Sequence, residues 1–391
     1  MKDKSGASID IPVLAAVLLL VALLACACDN TAAAKERDED DVNRKVIGFY
    51  ADEEDPYYRQ INDVIARASA EDPDTNWEID FRVGKGTAEG QLKAVEDFIT
   101  KGHDAVVAIQ NNPDTTGECI AKCKAAGIPY FGAVYDFYAV PNAKDSAGST
   151  AYDFVYGGYL AGLDALNRGV QRVVNIEGAS RQGTDTARTL GFLKAYEDAG
   201  MSLGGYTAEQ IAAEKPPVSR LDGTQAVEIV FWASGSRIDD SAGQAMKDAI
   251  SLLGKNGFDA VFIHNDSMAE DVIKVMAAAG LASDRYWIGA IDGWEMSWNW
   301  AEDGKITMDV NQPATLEGIL LYQQLKAYFN GEAYRAHLRP YFTPYTKDDI
   351  RKQWPTLVPT TDINAFMQGY KDGAFATDIN DPKFTDIEAY R

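Results

Sequence analysis

Histidine occurs only three times in the 391 residues and cysteine four times, which leaves little material for a metal centre or for Ser-His or Cys-His catalysis. His103 follows a helix stop, His264 ends a buried strand and His337 lies in a polar loop, so structural or surface roles are expected for each. No Gly-x-Ser-x-Gly elbow, Walker-type loop, His-Glu-x-x-His or Cys-x-x-Cys occurs. Gly178-Ala-Ser-Arg-Gln-Gly183 follows a strand but lacks the glycine spacing of a dinucleotide loop. No catalytic residue, metal or cofactor is therefore expected. Positive charge is also scarce: 37 Lys and Arg face 59 Asp and Glu, a formal net charge of −22. Nucleic acid is excluded as a partner, because binding a phosphate backbone relies on cationic side chains displacing counterions. Long apolar runs are missing too, save one at the amino terminus.

That run defines the expected fate of residues 1–25. Lys2 and Lys4 precede the apolar stretch Ile11 to Leu24, and Leu23-Leu24-Ala25-Cys26 follows. Fourteen apolar residues are short for a permanent membrane helix and fit an export signal that is cleaved. The last four residues resemble a bacterial lipobox, in which Cys26 becomes the lipidated amino terminus; an ordinary signal peptide cut nearby is the alternative, and Cys28 is a poorer second site. Residues 26–44 read as a tether, since Thr31 to Arg44 is small, charged and poor in apolar side chains. The remaining Cys119 and Cys123 share one face of an expected helix and read as core-facing thiols, with a disulfide or metal pair as the alternative.

What the chain has in quantity is hydrophobic residues, 46%, with 25% charged, enough for a large core and more than one domain. From Val46 onward short apolar runs alternate with amphipathic helices. Val46 to Tyr50, the alternating Trp77, Ile79, Phe81 and Val83, Ala105 to Ile109 and Ile128 to Val134 read as strands. Ile61, Val64, Ile65 and Ala68, and later Leu92, Val95, Phe98 and Ile99, mark the helices between them. A second series begins after Gly148, with strands at 172–176, 229–232, 260–263, 286–291 and 306–310 and helices at 242–253 and 314–329. Repeated β-α units imply two doubly wound parallel sheets of an α/β protein. Residues 345–391 give no clear pattern.

Polar side chains recur where these strands end: Asp55, Tyr57 and Tyr58; Gln110; Asp136; Asn265; Asp292; Asn311. Open α/β sheets bind ligands at the carboxyl ends of their strands. Asp, Asn and Arg with aromatic rings suit a sugar, whose hydroxyls both donate and accept and whose ring faces are weakly apolar. Over about residues 45–350 the chain resembles the type I periplasmic sugar-binding proteins of ABC transporters, the ribose- and galactose-binding group. Asp55-Pro56-Tyr57-Tyr58 is similar to that family's sugar-contacting loop, and Arg188-x-x-Gly191-Phe192 to its Arg-bearing helix start. His264-Asn265-Asp266-Ser267-Met268-Ala269 is similar to its Asn-Asp-x-Met-Ala segment, and Ile288 to Gly293 to its strand ending in a ligand-binding Asp. Asn311 falls where the family uses Gln or Asn.

The resemblance implies two lobes joined by a three-crossing hinge near 149–152, 310–313 and 339–345. Residues 45–150 plus 311–340 would form the first lobe and 151–310 plus 341–391 the second. It implies sugar contacts from Asp55, Tyr57, Tyr58, Gln110, Asp136, Arg188, Asn265, Asp292 and Asn311. Arg237-Ile-Asp-Asp240 replaces the family's usual second-lobe ring, so stacking is expected from Trp232, Trp294 or Trp298. A monomeric, lipid-anchored binding protein outside the cytoplasm, delivering a sugar to an ABC permease, is the resulting expectation. A ligand sensor serving a membrane receptor or kinase, and an envelope carbohydrate-active enzyme using Asp292 and Glu295, are the alternatives.

Overall fold

The structure, a computed structural model, describes residues 44–109, 112–135, 140–178, 183–216, 225–235, 240–281 and 285–386. Cys26, Gln110 and Asp136, with the expected export signal and nearly all of the tether, lie outside the described residues.

The first series comprises β1 (Arg44–Ala51), α1 (Pro56–Glu71), β2 (Asn76–Val83), α2 (Ala88–Thr100), β3 (Ala105–Ile109), α3 (Pro113–Ala126), β4 (Tyr130–Val134) and β5 (Gly148–Ala151). The second comprises α4 (Phe154–Asn167), β6 (Arg172–Glu177), α5 (Thr184–Asp198), α6 (Ala208–Glu214), β7 (Glu228–Ser234), α7 (Ser241–Leu253), β8 (Ala260–Ile263), α8 (Asp266–Ala278), β9 (Trp287–Asp292), α9 (Glu295–Glu302) and β10 (Met308–Asn311). Then follow α10 (Ala314–Asn330), β11 (His337–Arg339), β12 (Thr343–Thr346), α11 (Ile350–Gln353), α12 (Ile363–Lys371) and β13 (Thr385–Asp386).

Among the described residues the strands form a seven-stranded sheet, β13-β11-β5-β4-β3-β1-β2, and a six-stranded sheet, β12-β10-β9-β8-β6-β7. The inner pairs are parallel, whereas β11 with β13 and β10 with β12 are antiparallel. Helices cover these sheets, so β3, β4 and β8 are buried along their whole length, which is why they read as unbroken apolar runs. β2 stands at an edge and is only partly buried, and its sequence alternates accordingly. Cys119 and Cys123 are free thiols in a core cluster with Phe98, Val106 and Tyr130. Burial pushes both up to about 12, which keeps them protonated and inert.

The chain passes from the seven-stranded to the six-stranded sheet after β5, back after β10 into α10, and over again between β11 and β12. The assignment of residues 341–391 to the second lobe needs correction. Ile350 and Leu357 do pack in the second core. The chain then returns: Val358, Phe366, Met367, Ile379 and Phe384 join the core of the seven-stranded sheet, and β13 pairs with β11. The reason is local, because α12 is strongly one-faced and its Phe366 and Met367 find their apolar partners beside α1.

Candidate functional site

One cleft lies between the carboxyl ends of the two sheets, with about 640 Å³ of space including its open mouth. Its first-lobe wall is built by the start of α1. Asp55 caps that helix, its Oδ1 accepting the Tyr57 N–H at 2.8 Å, and Pro56 at the first helical position fixes the turn. This cap sets Asp55, Tyr57 and Tyr58 along the cleft. The Tyr58 hydroxyl meets that of Tyr135 at 2.8 Å.

The second-lobe wall centres on Arg188 in α5, a side chain only 2% exposed. Glycines place it. α4 and α5 touch backbone to backbone, and a Cβ at Gly158 or Gly191 would overlap the Arg188 or Val155 carbonyl across the contact. From there Arg188 donates through Nη1 to the His264 carbonyl, and through Nη2 to Asp292 Oδ1 at 3.3 Å and Gln312 Oε1 at 3.2 Å. Its guanidinium also lies over the Phe154 ring, 5.5 Å from the centroid. Asn265, at the start of α8, leaves that helix uncapped and instead donates to Asp292 Oδ2 at 3.1 Å. Asp292 ends β9 with φ 132°, a conformation that L residues rarely adopt. Strain of this kind persists where the surroundings over-determine it, and it gathers at functional sites.

Between the walls runs the crossing that follows β10. Gln312 lines the cleft and touches both lobes, reaching Arg188 on one side and the Tyr57 hydroxyl at 3.5 Å on the other. Asn311, expected here as a sugar contact, faces away. Its amide bonds the Gly293 and Val358 carbonyls and its oxygen accepts the Val358 N–H. Adjacent extended residues point in opposite directions, so one position separates a cleft residue from a structural one.

Beneath the second wall lies a buried polar network. His264 Nδ1 is 3.0 Å from Asp185 Oδ1, and Nε2 is 3.2 Å from Asn175 Oδ1, which gives this histidine the structural role expected of it. Burial raises the Asp185 carboxyl, but the hydrogen bond and charge of His264, with Arg188 and the Gly178 N–H, outweigh it and hold the group below its usual range. Asp266 and Asp309 form a second buried pair. Burial raises both, and the neighbouring charges of Asp309 and Asp292 push Asp266 well above the carboxylate range, so Asp266 is the protonated member of the pair. Asp266 Oδ2 in turn accepts the Trp294 N–H at 2.6 Å and so fixes the loop that presents Trp294.

Of the expected site residues, Asp55, Tyr57, Tyr58, Arg188, Asn265, Asp292 and Trp294 line the cleft. Trp232 does not: it lies on β7 under Lys215, half-buried against a core cluster. Trp298 is also core, its Nε1 donating to the Gly293 carbonyl and its ring meeting Trp354. Glu295, paired with Asp292 in the enzyme alternative, is taken up by the backbone of Thr361 and Asp362 and does not line the cleft. Gln312, Asp185, Thr184, Ser267 and Phe154 also line it and were not expected. Arg188 Nε, Asp185 Oδ2, Ser267 Oγ and Trp294 Nε1 have no hydrogen-bond partner among the described residues. The cleft thus offers both donors and an acceptor to a solute. Among the described residues no group of three or more His, Cys, Asp or Glu is arranged to hold a metal ion, and no helix is long and apolar enough to cross a membrane.

An α/β protein of two parallel-dominated lobes with a polar and aromatic cleft at their strand ends has the form of a type I periplasmic binding protein. Residues 47–333 match the periplasmic binding protein domain, and the chain belongs to that family, whose members act outside the cytoplasm. No curated protein matches the sequence. Many solved structures share the fold, among them the following three. An ABC transporter solute-binding protein from Bacillus halodurans C-125, with bound myo-inositol, is 21% identical with TM-score 0.62, covering 79% of this chain and 96% of that one. The arabinose-transporter binding protein of Shewanella sp. ANA-3, bound to α- and β-L-arabinofuranose, is 18% identical with TM-score 0.62, covering 84% and 97%. A fructose-binding periplasmic domain of a hybrid two-component system is 15% identical with TM-score 0.62, covering 84% and 97%.

Proposed function

We propose that this chain is the solute-binding component of an ABC transporter and that its cleft holds one neutral sugar or cyclic polyol, without any covalent step. One observation carries this reading. Planar multidentate groups from both lobes, Asp55 from the first and Arg188, Asn265 and Asp292 from the second, meet in one buried cleft with Gln312 between them and Tyr57, Tyr58, Phe154 and Trp294 around it. Hydroxyls that donate and accept match such groups, and the rings suit sugar C–H faces. With Asp55, Asp185 and Asp292 against one Arg, the lining is acidic. Carboxylated and phosphorylated sugars are thereby disfavoured.

Only a closed arrangement lets both walls act on one molecule, so the solute stabilises closure, and the closed lobes are what a permease recognises. The chain works as a monomer on the outer side of a membrane, anchored through Cys26. Because a fructose-binding sensor domain shares the fold, the same closure signalling to a membrane receptor is the second reading.

A thermal-shift screen tests the proposal with neutral monosaccharides and cyclitols, including myo-inositol, L-arabinose, D-allose and D-fructose, beside sugar acids and amino acids. A ligand at a hundred times its Kd adds about 2.7 kcal/mol of stability. A shift with a neutral polyhydroxylated compound and none with its acid is expected; a shift confined to amino acids or sugar acids would overturn the reading. Stimulation of a cognate permease's ATPase in vesicles by the loaded protein separates delivery from signalling.

A further inference from the structure

We propose that Glu317 is a positioning residue that sets specificity: its carboxyl decides whether the Tyr57 hydroxyl presents a proton or only lone pairs to the solute. This rests on the sugar-binding reading of the cleft. Glu317 lies on α10, one turn beyond the Pro313 crossing, and is fully buried. It does not line the cleft itself. Its Oε1 accepts the Val134 N–H at 2.5 Å and its Oε2 lies 3.3 Å from the Tyr57 hydroxyl. Val134 is a non-glycine residue at φ 72°, and Glu317 takes the N–H of this strained strand end, which also lines the cleft.

The surroundings hold few other charged or titratable groups. The Tyr152 phenol faces Glu317 from the segment after β5 and donates to the Pro313 carbonyl at 3.1 Å. From the crossing, Gln312 donates to the Tyr57 oxygen, and the charge of Asp292 is felt at Tyr57 from across the cleft. Arg188 lies one step further, bonded to Gln312. Among the described residues no Lys, Arg or His forms an ion pair with Glu317.

Because Oε1 faces an N–H that can only donate, a proton on neutral Glu317 must sit on Oε2. It then donates to the Tyr57 oxygen, whose second lone pair accepts from Gln312, and the phenol proton is left for the cleft. Ionised Glu317 instead accepts a hydrogen bond from the phenol O–H, and Tyr57 can no longer donate to a solute. Burial pushes the Glu317 carboxyl up to about 8, so the exchange between these states falls within reach of ordinary buffers. The Tyr57 phenol, raised well above its usual range by burial and by Glu317, stays protonated throughout.

Two measurements decide the matter. Infrared difference spectra between pH 7 and 9, with no sugar present, should show one buried carboxyl losing its protonated carbonyl band in the wild type and not in Glu317→Gln. Absence of such a band, or a variant spectrum identical to that of the wild type, overturns the proposal whatever the cleft binds. Calorimetry with the panel sugar giving the largest thermal shift should show wild-type affinity falling about three- to tenfold from pH 7 to 9, the worth of one hydrogen bond. Glu317→Gln should keep the affinity of the wild type at pH 7 across the range, since its amide permanently donates to Tyr57 and accepts from Val134. Tyr57→Phe should bind more weakly with a flat profile, and it serves if the Gln variant does not fold. Identical pH profiles for the wild type and Tyr57→Phe would overturn the assignment. Failure of every panel sugar would remove the sugar reading, while the infrared result would still establish or refute the proton on Glu317.

Discussion

At the scale of single residues the cleft is a chain of hydrogen bonds from Glu317 through Tyr57, Gln312 and Arg188 to Asp292 and Asn265. Arg188→Ala and Asp292→Ala each remove a charged partner, and hydrogen bonds to charged groups are worth roughly 1.5–3 kcal/mol, so at least about tenfold weaker sugar binding is expected by calorimetry. Far-UV circular dichroism should show both variants folded; unchanged affinity in both would refute the site. Much of this was legible in the sequence, because a polar residue that ends a buried apolar strand has few places to go except the cleft. Asp55, Asn265 and Asp292 announce themselves that way. The rule lacks the resolution to choose between Asn311 and Gln312, which differ by one step of a period-two pattern. Aromatic residues carry no such signal: Trp298 lies in the core and Trp232 is half-buried against another core cluster, while Trp294 reaches the cleft. Glu317 was invisible because its helix is buried nearly all round, so no periodicity marks one polar face.

At the scale of elements, the contact between α4 and α5 is what aims Arg188. Gly191 presses against the Val155 carbonyl, and Gly162 against that of Phe192. Gly191→Val should force the helices apart. Overpacking costs typically about 1–3 kcal/mol, and here it should also displace Arg188, so melting temperature and sugar affinity should fall together. A variant that loses neither would show that the contact is not what places the guanidinium. The C-terminal segment behaves as a strap. Asn311 holds Val358, Thr315 Oγ1 donates to the Pro359 carbonyl, and Glu295 of α9 accepts from Thr361 and Asp362 at the start of α12. In Asn311→Ala, residues 357–367 should exchange amide hydrogen faster than in the wild type, without direct loss of a cleft contact. This part of the fold was not legible, since its elements are short and their partners lie 44 to 67 positions earlier, or as far back as α1.

At the scale of the whole molecule, buried carboxyls make stability depend on pH in a particular sense. Glu317 is raised from its ordinary 4.5 to about 8, and Asp266 and Asp309 are raised too. A raised carboxyl contributes stability that is complete below its unfolded pKa and lost as pH climbs through the folded one. Asp80, lowered to about 2 mainly by Arg82, works in the opposite sense, as do Asp185 and Asp72; their contribution is present above the ordinary carboxylate range and lost on acidification. Stability should therefore peak on the acid side of neutrality, and the net charge of −22 adds self-repulsion above it. Urea midpoints should be higher near about pH 5.5 than near about pH 8.5, with Glu317→Gln flattening that fall. A midpoint that rises steadily through pH 8 would contradict the buried proton.

The two-lobed architecture was the most legible feature of all, because β-α repeats with apolar strands leave few alternatives to doubly wound sheets. The joint grip of those lobes on one solute is tested most directly by calorimetric titration of the wild type, Asp55→Ala and Asp292→Ala with the strongest-binding panel sugar. One sugar bound per chain, with affinity lowered at least about tenfold by either variant, is the expected result. Wild-type affinity in either variant would mean that its lobe takes no part in holding the solute.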